Sequence, residues 1–235
     1  MNLDRRTLAL VAVPVVAAGG LGAWFLRPGE APRVAAPAAP AAPAQTATPV
    51  SAPPAAVADA NATPLSERSI GRADAPVTVI EYFSLTCGHC AAFHRDTMPR
   101  VKRDLVDTGR VRMVLRDFPL DAVALAAAQV ARSLPAERYE PFVATLFAQQ
   151  DRWAFARNSD PREEMFKIAA LAGMSRTQYD AALNDQDLAR GILELRVKGQ
   201  QEHNVASTPT FVFGTRAVPG NMPFDRFASL VSETR

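Results

Sequence analysis

Cys87 and Cys90, separated by Gly88 and His89, are the two residues of this 235-residue chain whose type and spacing could do chemistry, and they are its only cysteines. At that spacing two thiols can close into a disulfide and open again. The thiolate is the reactive form, and a free cysteine with a pKa of about 8.5 is mostly protonated at neutral pH. The stretch before the pair, Val77 to Phe83, is apolar and rich in β-branched residues, which predicts a buried strand. After it, Phe93, Met98, Val101, Leu105 and Val106 recur at helical spacing and predict a helix to about Asp107. Cys87 then falls at the first turn of a helix, where unpaired backbone N–H groups and the positive end of the dipole favour an anion. A protonated His89 would add a positive charge within reach. On this reading Cys87 is the attacking sulfur and Cys90 the buried resolving one.

Other readings of the same residues compete. A CxxC pair can be half of a zinc site, but structural zinc takes about four ligands, and His89, His94 and His203 are the only histidines. His94, four residues after Cys90, is read as a helix-surface or packing residue and not a ligand, so no metal is assigned. The two thiols could also be ordinary core residues.

The elements around the pair must position it. The chain opens with Arg5 and Arg6, followed by twenty uncharged residues from Thr7 to Leu26. A basic start before an apolar run is either a cleavable export signal or an N-terminal membrane anchor, assigned here to residues 1–26. Pro14, Gly19, Gly20 and Gly22 soften that run, and the Arg5-Arg6 pair also resembles a twin-arginine signal. Residues 27–64, rich in Ala and Pro, read as a disordered tether without secondary structure. Residues 65–235 have the length of one domain. With the segment before it set aside, 22 basic residues face 21 acidic ones. No phosphate-tracking basic patch appears, which argues against nucleic-acid binding.

Within this domain, Val111 to Phe118 predicts a second strand, so that the order strand, helix, strand calls for a right-handed parallel crossover. Residues of about 119–204 read as helical: an Ala-rich helix over Asp121–Ser133, another opened by Pro135, one started at Ser159-Asp160-Pro161, one capped by Ser175, and a last from Asp187 to about His203. Trp153 and Phe155 are read as core-filling aromatics. Thr210–Phe213 and Arg216–Val218 then form a hairpin around Gly214-Thr215, and an amphipathic helix through Phe224, Phe227, Leu230 and Val231 closes the chain.

This combination resembles the DsbA-like thiol:disulfide oxidoreductases of the thioredoxin superfamily, in their exported bacterial branch. Cys87-Gly88-His89-Cys90 after a central strand, Glu81 six residues before Cys87, the block Ser207-Thr208-Pro209-Thr210, and some eighty helical residues between two halves carry the likeness. It implies an α/β thioredoxin-like fold with a helical insertion between a βαβ half and a ββα half. It implies that Cys87 and Cys90 form the redox-active disulfide, with His89 between them tuning its potential. Glu81 would be a buried acid of raised pKa that shuttles the proton of Cys90, although pleating could instead turn it to solvent. The bond before Pro209 would be cis, with the Thr208 backbone beside the sulfurs and open to an extended substrate strand.

The activity so implied is the introduction of disulfides into exported proteins, in the periplasm or at the extracytoplasmic face of the inner membrane. Cysteine-bearing unfolded or partly folded proteins would be the substrates, a membrane redox partner would reoxidise the enzyme, and a monomer without a cofactor would do the work. Gly88-His89 departs from the Pro-His of many DsbA-like oxidants, which leaves open a reductase or isomerase of the same fold. From other classes, a periplasmic copper carrier using the two thiols and a passive chaperone remain as alternatives.

Overall fold

In a computed structural model the described residues are 63–234. The expected signal or anchor, and the tether up to residue 62, lie outside them. Five strands form one sheet in the order β1-β3-β2-β4-β5: β1 (Arg68–Ile70), β2 (Val77–Phe83), β3 (Val111–Asp117), β4 (Thr210–Phe213) and β5 (Arg216–Pro219). β2 and β3 run parallel, while the β1–β3, β2–β4 and β4–β5 pairs are antiparallel. The parallel pair needs a crossover, and the helices after the cysteines supply it.

The strand period of two decides what each face of β2 meets. Val77, Val79 and Phe83 bury into the main core, and Glu81, which shares their parity, is fully buried with them. Tyr82 faces the other way, into a smaller cluster with Phe118, Val205 and Val212. A helix crosses over Tyr82 so closely that a Cβ at Gly199 would sit 2.4 Å from its ring. Both faces of the central strand are therefore covered.

The helix expected to run unbroken to Asp107 is divided. α1 (Gly88–Asp96) ends at Thr97, α2 (Met98–Val101) follows, and Lys102–Val106 form a π-helical turn. Pro99 explains the break, because it has no N–H to return to the carbonyl four residues back and its ring crowds that turn. Gly109, at φ +73, then lets the chain reverse into β3.

Six helices lie between β3 and β4: α3 (Ala122–Arg132), α4 (Ala136–Ala148), α5 (Gln150–Trp153), α6 (Pro161–Leu171), α7 (Arg176–Asn184) and α8 (Gln186–His203). Their starts follow ordinary capping chemistry. Asp121, Asp160, Ser175 and Asp185 each accept a backbone N–H at the first turn, and Ser175 with Gln178 forms a full capping box. The chain closes with α9 (Phe224–Glu233), whose Phe227, Leu230 and Val231 are buried. The fold is the α/β thioredoxin-like architecture with a helical insertion. A further expectation fails here. Trp153 is buried and donates its indole N–H to the Leu146 carbonyl, but Phe155 is 53% exposed, because the chain has already left α5 and turned outward. The short strand β1 was not anticipated.

Candidate active site

The site forms where β2 ends and α1 begins. Cys87 is the N-cap of α1, with extended backbone angles, and its carbonyl accepts the Ala91 N–H at 3.1 Å. Cys87 is 9% exposed and Cys90 fully buried, and both are free thiols. One turn of helix thus separates a nearly buried Cys87 from a Cys90 that is wholly enclosed in the core.

Their acidities diverge accordingly. The Cys87 thiol is lowered to about 5. A hydrogen bond from Cys90 is the largest cause. Burial opposes it, and Thr208 and the backbone N–H groups of Cys90 and His89 add to it. These are the unpaired donors of a helix start, which favour an anion there. His89, itself exposed, acts on Cys87 through its backbone N–H, whereas the sequence reading had invoked its imidazole charge. Cys90 moves the other way, far above the ordinary thiol range. Burial is the main cause, and the negative charges of Cys87 and Glu81 add to it.

The loop before β4 reaches over the pair. The Thr208–Pro209 peptide bond is cis, the configuration the resemblance implied. The Cys87 thiol lies 3.2 Å from the Thr208 carbonyl oxygen, to which it donates when protonated. Thr208 is buried, so the loop that carries Pro209 forms a wall of the site.

Beneath the cysteines lies a pair that the sequence reading missed. Glu81 does not turn to solvent; its carboxylate is buried, and His94 Nε2 stands 3.0 and 3.1 Å from its two oxygens. His94 is neither a surface residue nor a plain packing one: its side chain is 2% exposed, held among Phe83, Phe93 and Phe147. The signal was available. Glu81 shares the strand parity of Phe83, and His94 follows Cys90 by four, on the same helix face.

The helical insertion grips the loop that carries Cys87. Gln150, at the start of α5, donates its side-chain N–H to the carbonyls of Leu85 at 2.8 Å and Cys87 at 3.2 Å. Thr86 donates its hydroxyl to Asp121 at 2.6 Å, and the other Asp121 oxygen caps α3. Neither Gln150 nor Asp121 stood out in the sequence as part of the site, because each lies far along the chain from the motif it holds.

Of the residues the sequence put forward, Cys87, Cys90, Thr208 and Glu81 converge, with Pro209 in the wall and His89 on the outer turn. Among the described residues no group of three or more His, Cys, Asp or Glu side chains is arranged to hold a metal ion.

A family model described as Thioredoxin matches residues 63–233. A putative protein-disulfide oxidoreductase of Rickettsia conorii is 28% identical over 165 residues, which is 70% of this chain and 58% of that protein. Disulfide bond formation protein D of Bacillus subtilis is 22% identical over 70% of this chain and 75% of its own length. The crystal structure of Wolbachia pipientis alpha-DsbA1 superimposes with a TM-score of 0.67 at 26% identity, over 72% of this chain and 90% of that one. The chain thus spans less than two thirds of the Rickettsia relative and nearly the whole of the Wolbachia structure. Matched along most of its length, with the paired cysteines at the end of the central strand, the chain belongs to the thioredoxin family, in its DsbA-like branch.

Proposed function

We propose that the protein is a thiol:disulfide oxidoreductase that introduces disulfides into exported proteins through Cys87 and Cys90. The observation that carries this reading is the contrast within the pair: Cys87 is an acidic thiol at a helix start, and Cys90 is a buried thiol held protonated. An acidic thiol makes a good leaving group and a stable reduced form, and both pull electrons from the substrate into the enzyme. The names of the relatives, protein-disulfide oxidoreductase and disulfide bond formation protein, support the same chemistry.

In the forward reaction a substrate thiolate attacks Sγ of Cys87 in the Cys87–Cys90 disulfide. A mixed disulfide forms, and Cys90 leaves as a thiolate that takes up a proton. A second substrate thiolate then attacks the substrate sulfur of the mixed disulfide, and Cys87 departs as the stabilised thiolate. Glu81 lies where it can take part in handling the proton of the buried Cys90, since bulk water does not reach a fully buried thiol. Thr208 offers its backbone to an extended substrate chain beside Cys87, a mode that suits many sequences because it reads main chain, and His89 and Pro209 border that approach. Leu120, 48% exposed and bound through its N–H to Ser84 just before the motif, gives such a chain an apolar edge to lie against.

The substrates are cysteine-bearing unfolded or partly folded proteins, and a membrane partner restores the disulfide. The work is done by a monomer in the periplasm or tethered to the extracytoplasmic face of the inner membrane, a placement supported by the uncharged run from Thr7 to Leu26. The test is oxidative folding of a reduced, unfolded protein by the oxidised full-length chain. Native disulfides are expected to form in step with loss of the Cys87–Cys90 bond. Cys87→Ser and Cys90→Ser should each abolish the transfer, since neither variant can hold the disulfide to be donated. Reduced Cys90→Ser offered a disulfide-bearing protein should instead accumulate the mixed disulfide on Cys87. Transfer that survives Cys87→Ser overturns the proposal.

A further inference from the structure

A buried carboxylate costs several kcal/mol unless it is paired, and pairing with a second ionisable group changes how many protons the site can hold. Glu81 is fully buried on the central strand, and both its oxygens lie within 3.1 Å of His94 Nε2. The far ring nitrogen, His94 Nδ1, is buried without a hydrogen-bond partner. The elements packed around His94 present Phe83 from β2, Phe93 from α1 and Phe147 from α4. The titratable groups that share this pocket are therefore Glu81 itself and Cys90, one turn earlier on α1, whose thiol feels the Glu81 charge.

We infer that His94 is a positioning residue for the exchange reaction, acting through Glu81, and that the Glu81–His94 pair rather than Glu81 alone receives and returns the proton of Cys90. The inference rests on the thiol–disulfide exchange proposed above. One proton held between carboxylate and imidazole leaves the buried pair neutral. When the mixed disulfide on Cys87 is resolved from within, the Cys90 S–H bond breaks and its proton passes to the pair, which becomes a cation beside the new Cys90 thiolate. That thiolate attacks Sγ of Cys87; the Cys87–Cys90 bond forms, the bond from Cys87 to the substrate sulfur breaks, and the substrate leaves as a thiolate. The pair then releases its extra proton to solvent and is neutral again. The forward, oxidising reaction runs the same steps in reverse. Two electrons pass between the sulfurs, and no further oxidant or reductant takes part. Without His94 a buried Glu81 would hold its own proton to avoid an uncompensated charge, and no base would be left for Cys90.

The reduced full-length chain is mixed with an aromatic disulfide, 5,5′-dithiobis(2-nitrobenzoate), and release of the coloured thiolate is followed by stopped flow. The first phase reports attack by Cys87 and the second the internal attack by Cys90. His94→Gln, which keeps a hydrogen bond to Glu81 but cannot carry a proton, is expected to slow the second phase about tenfold or more at neutral pH. Its pH profile should move upward, and the first phase should stay within about twofold of the wild type. Glu81→Gln should give the same loss, and the double variant should be no slower than Glu81→Gln alone, because the two act as one unit. A second phase unchanged in rate and pH profile in His94→Gln overturns the inference, and so do two phases that fall in parallel. If the wild type shows no second phase, the exchange reading itself is wrong and this inference goes with it. A measurement without substitution guards against a variant that does not fold: the His94 ring nitrogens of the wild type, followed by 15N NMR, should titrate at different pH in the reduced and oxidised forms. The same titration in both forms contradicts the coupling.

Discussion

Two carboxylates are buried against the same sheet, each bound to a cationic or potentially cationic side chain, and they are equipped differently. Asp117, at the end of β3, accepts from Arg132 and from the Tyr139 hydroxyl at 3.0 and 3.1 Å; Arg132 also donates to the carbonyls of Pro64 at 2.8 Å and Ser66 at 3.2 Å. Asp117, Arg132 and Tyr139 are all left with partners. Burial, the largest single influence, works against the charge of Arg132, but Asp117 and Tyr139 together more than offset it, so the guanidinium stays ionised. This network pins the start of the described chain to the sheet. Glu81 has one partner, His94, which can take or lose a proton where Arg132 cannot, and whose second nitrogen is left open. A buried network whose carboxylate is paired with a permanent cation and a hydroxyl holds structure, even with the Nε of the adjoining Arg68 left without a partner. A buried pair with a spare proton site next to a thiol is built for chemistry.

The sharpest way to separate the two is to remove the cation from each. Arg132→Met leaves the charge of Asp117 buried and unpaired, and is expected to cost about 3–5 kcal/mol of stability. Urea unfolding checks this, and the Cys87 thiolate absorbance should still titrate at about 5 in the surviving native fraction. His94→Phe packs against the same aromatic side chains and lets Glu81 protonate, so the expected loss is smaller, about 1–3 kcal/mol. If both variants cost the same and neither alters exchange, the distinction between the regions fails.

Gln150→Ala and Thr86→Val lie between these cases, since each cuts one tie between the helical insertion and the loop that carries Cys87. About 1 kcal/mol of stability is expected to go with each. Gln150→Ala should also slow attack by Cys87 on a small disulfide, because the Leu85 and Cys87 carbonyls lose their shared donor. Unchanged Cys87 kinetics would reduce Gln150 to a packing role.

The smallest effect needs no substitution. Cys87 is lowered in the folded, reduced protein and ordinary in the unfolded chain. The stability it adds is thus fully present above the unfolded value of roughly 8.5 and is lost as pH falls toward about 5. Cys90, shifted upward, stays protonated in the folded state throughout and in the unfolded chain until the pH nears about 8.5, above which its ionisation in the unfolded chain works against the gain. The oxidised protein has neither thiol, so reduced minus oxidised stability should grow as pH rises from about 5 to about 8.5. A flat difference would show that Cys87 is not stabilised as a thiolate.

How much of this could be read from the sequence depended on how local each signal was. β2, β4 and the start of α1 were legible because apolar runs end at turn residues and the cysteines mark the strand–helix junction. The helix caps at Asp160 and Ser175 were legible for the same reason. β1 is only three residues, Arg68 to Ile70, too short for any period to show, and exists because it pairs with β3. Pro99 was visible, yet the recurring apolar positions masked the break it makes. His94 was misread because its role needs two periods at once, the strand parity of Glu81 and the helix turn from Cys90. Gln150 and Asp121 could not be read at all, since only tertiary packing brings them to residues 63 and 35 positions away. Phe155 resembled Trp153 in type, but an aromatic just past a helix end follows the direction of the chain and not the core.

The equilibrium reduction potential of Cys87–Cys90, measured on the full-length chain in glutathione buffers, tests the central claim most directly. The acidic Cys87 and protonated Cys90 predict a potential well above that of thioredoxin, toward the oxidising limit of roughly −120 mV known for this chemistry. A value at or below roughly −270 mV, or the absence of any dithiol–disulfide couple, would contradict it.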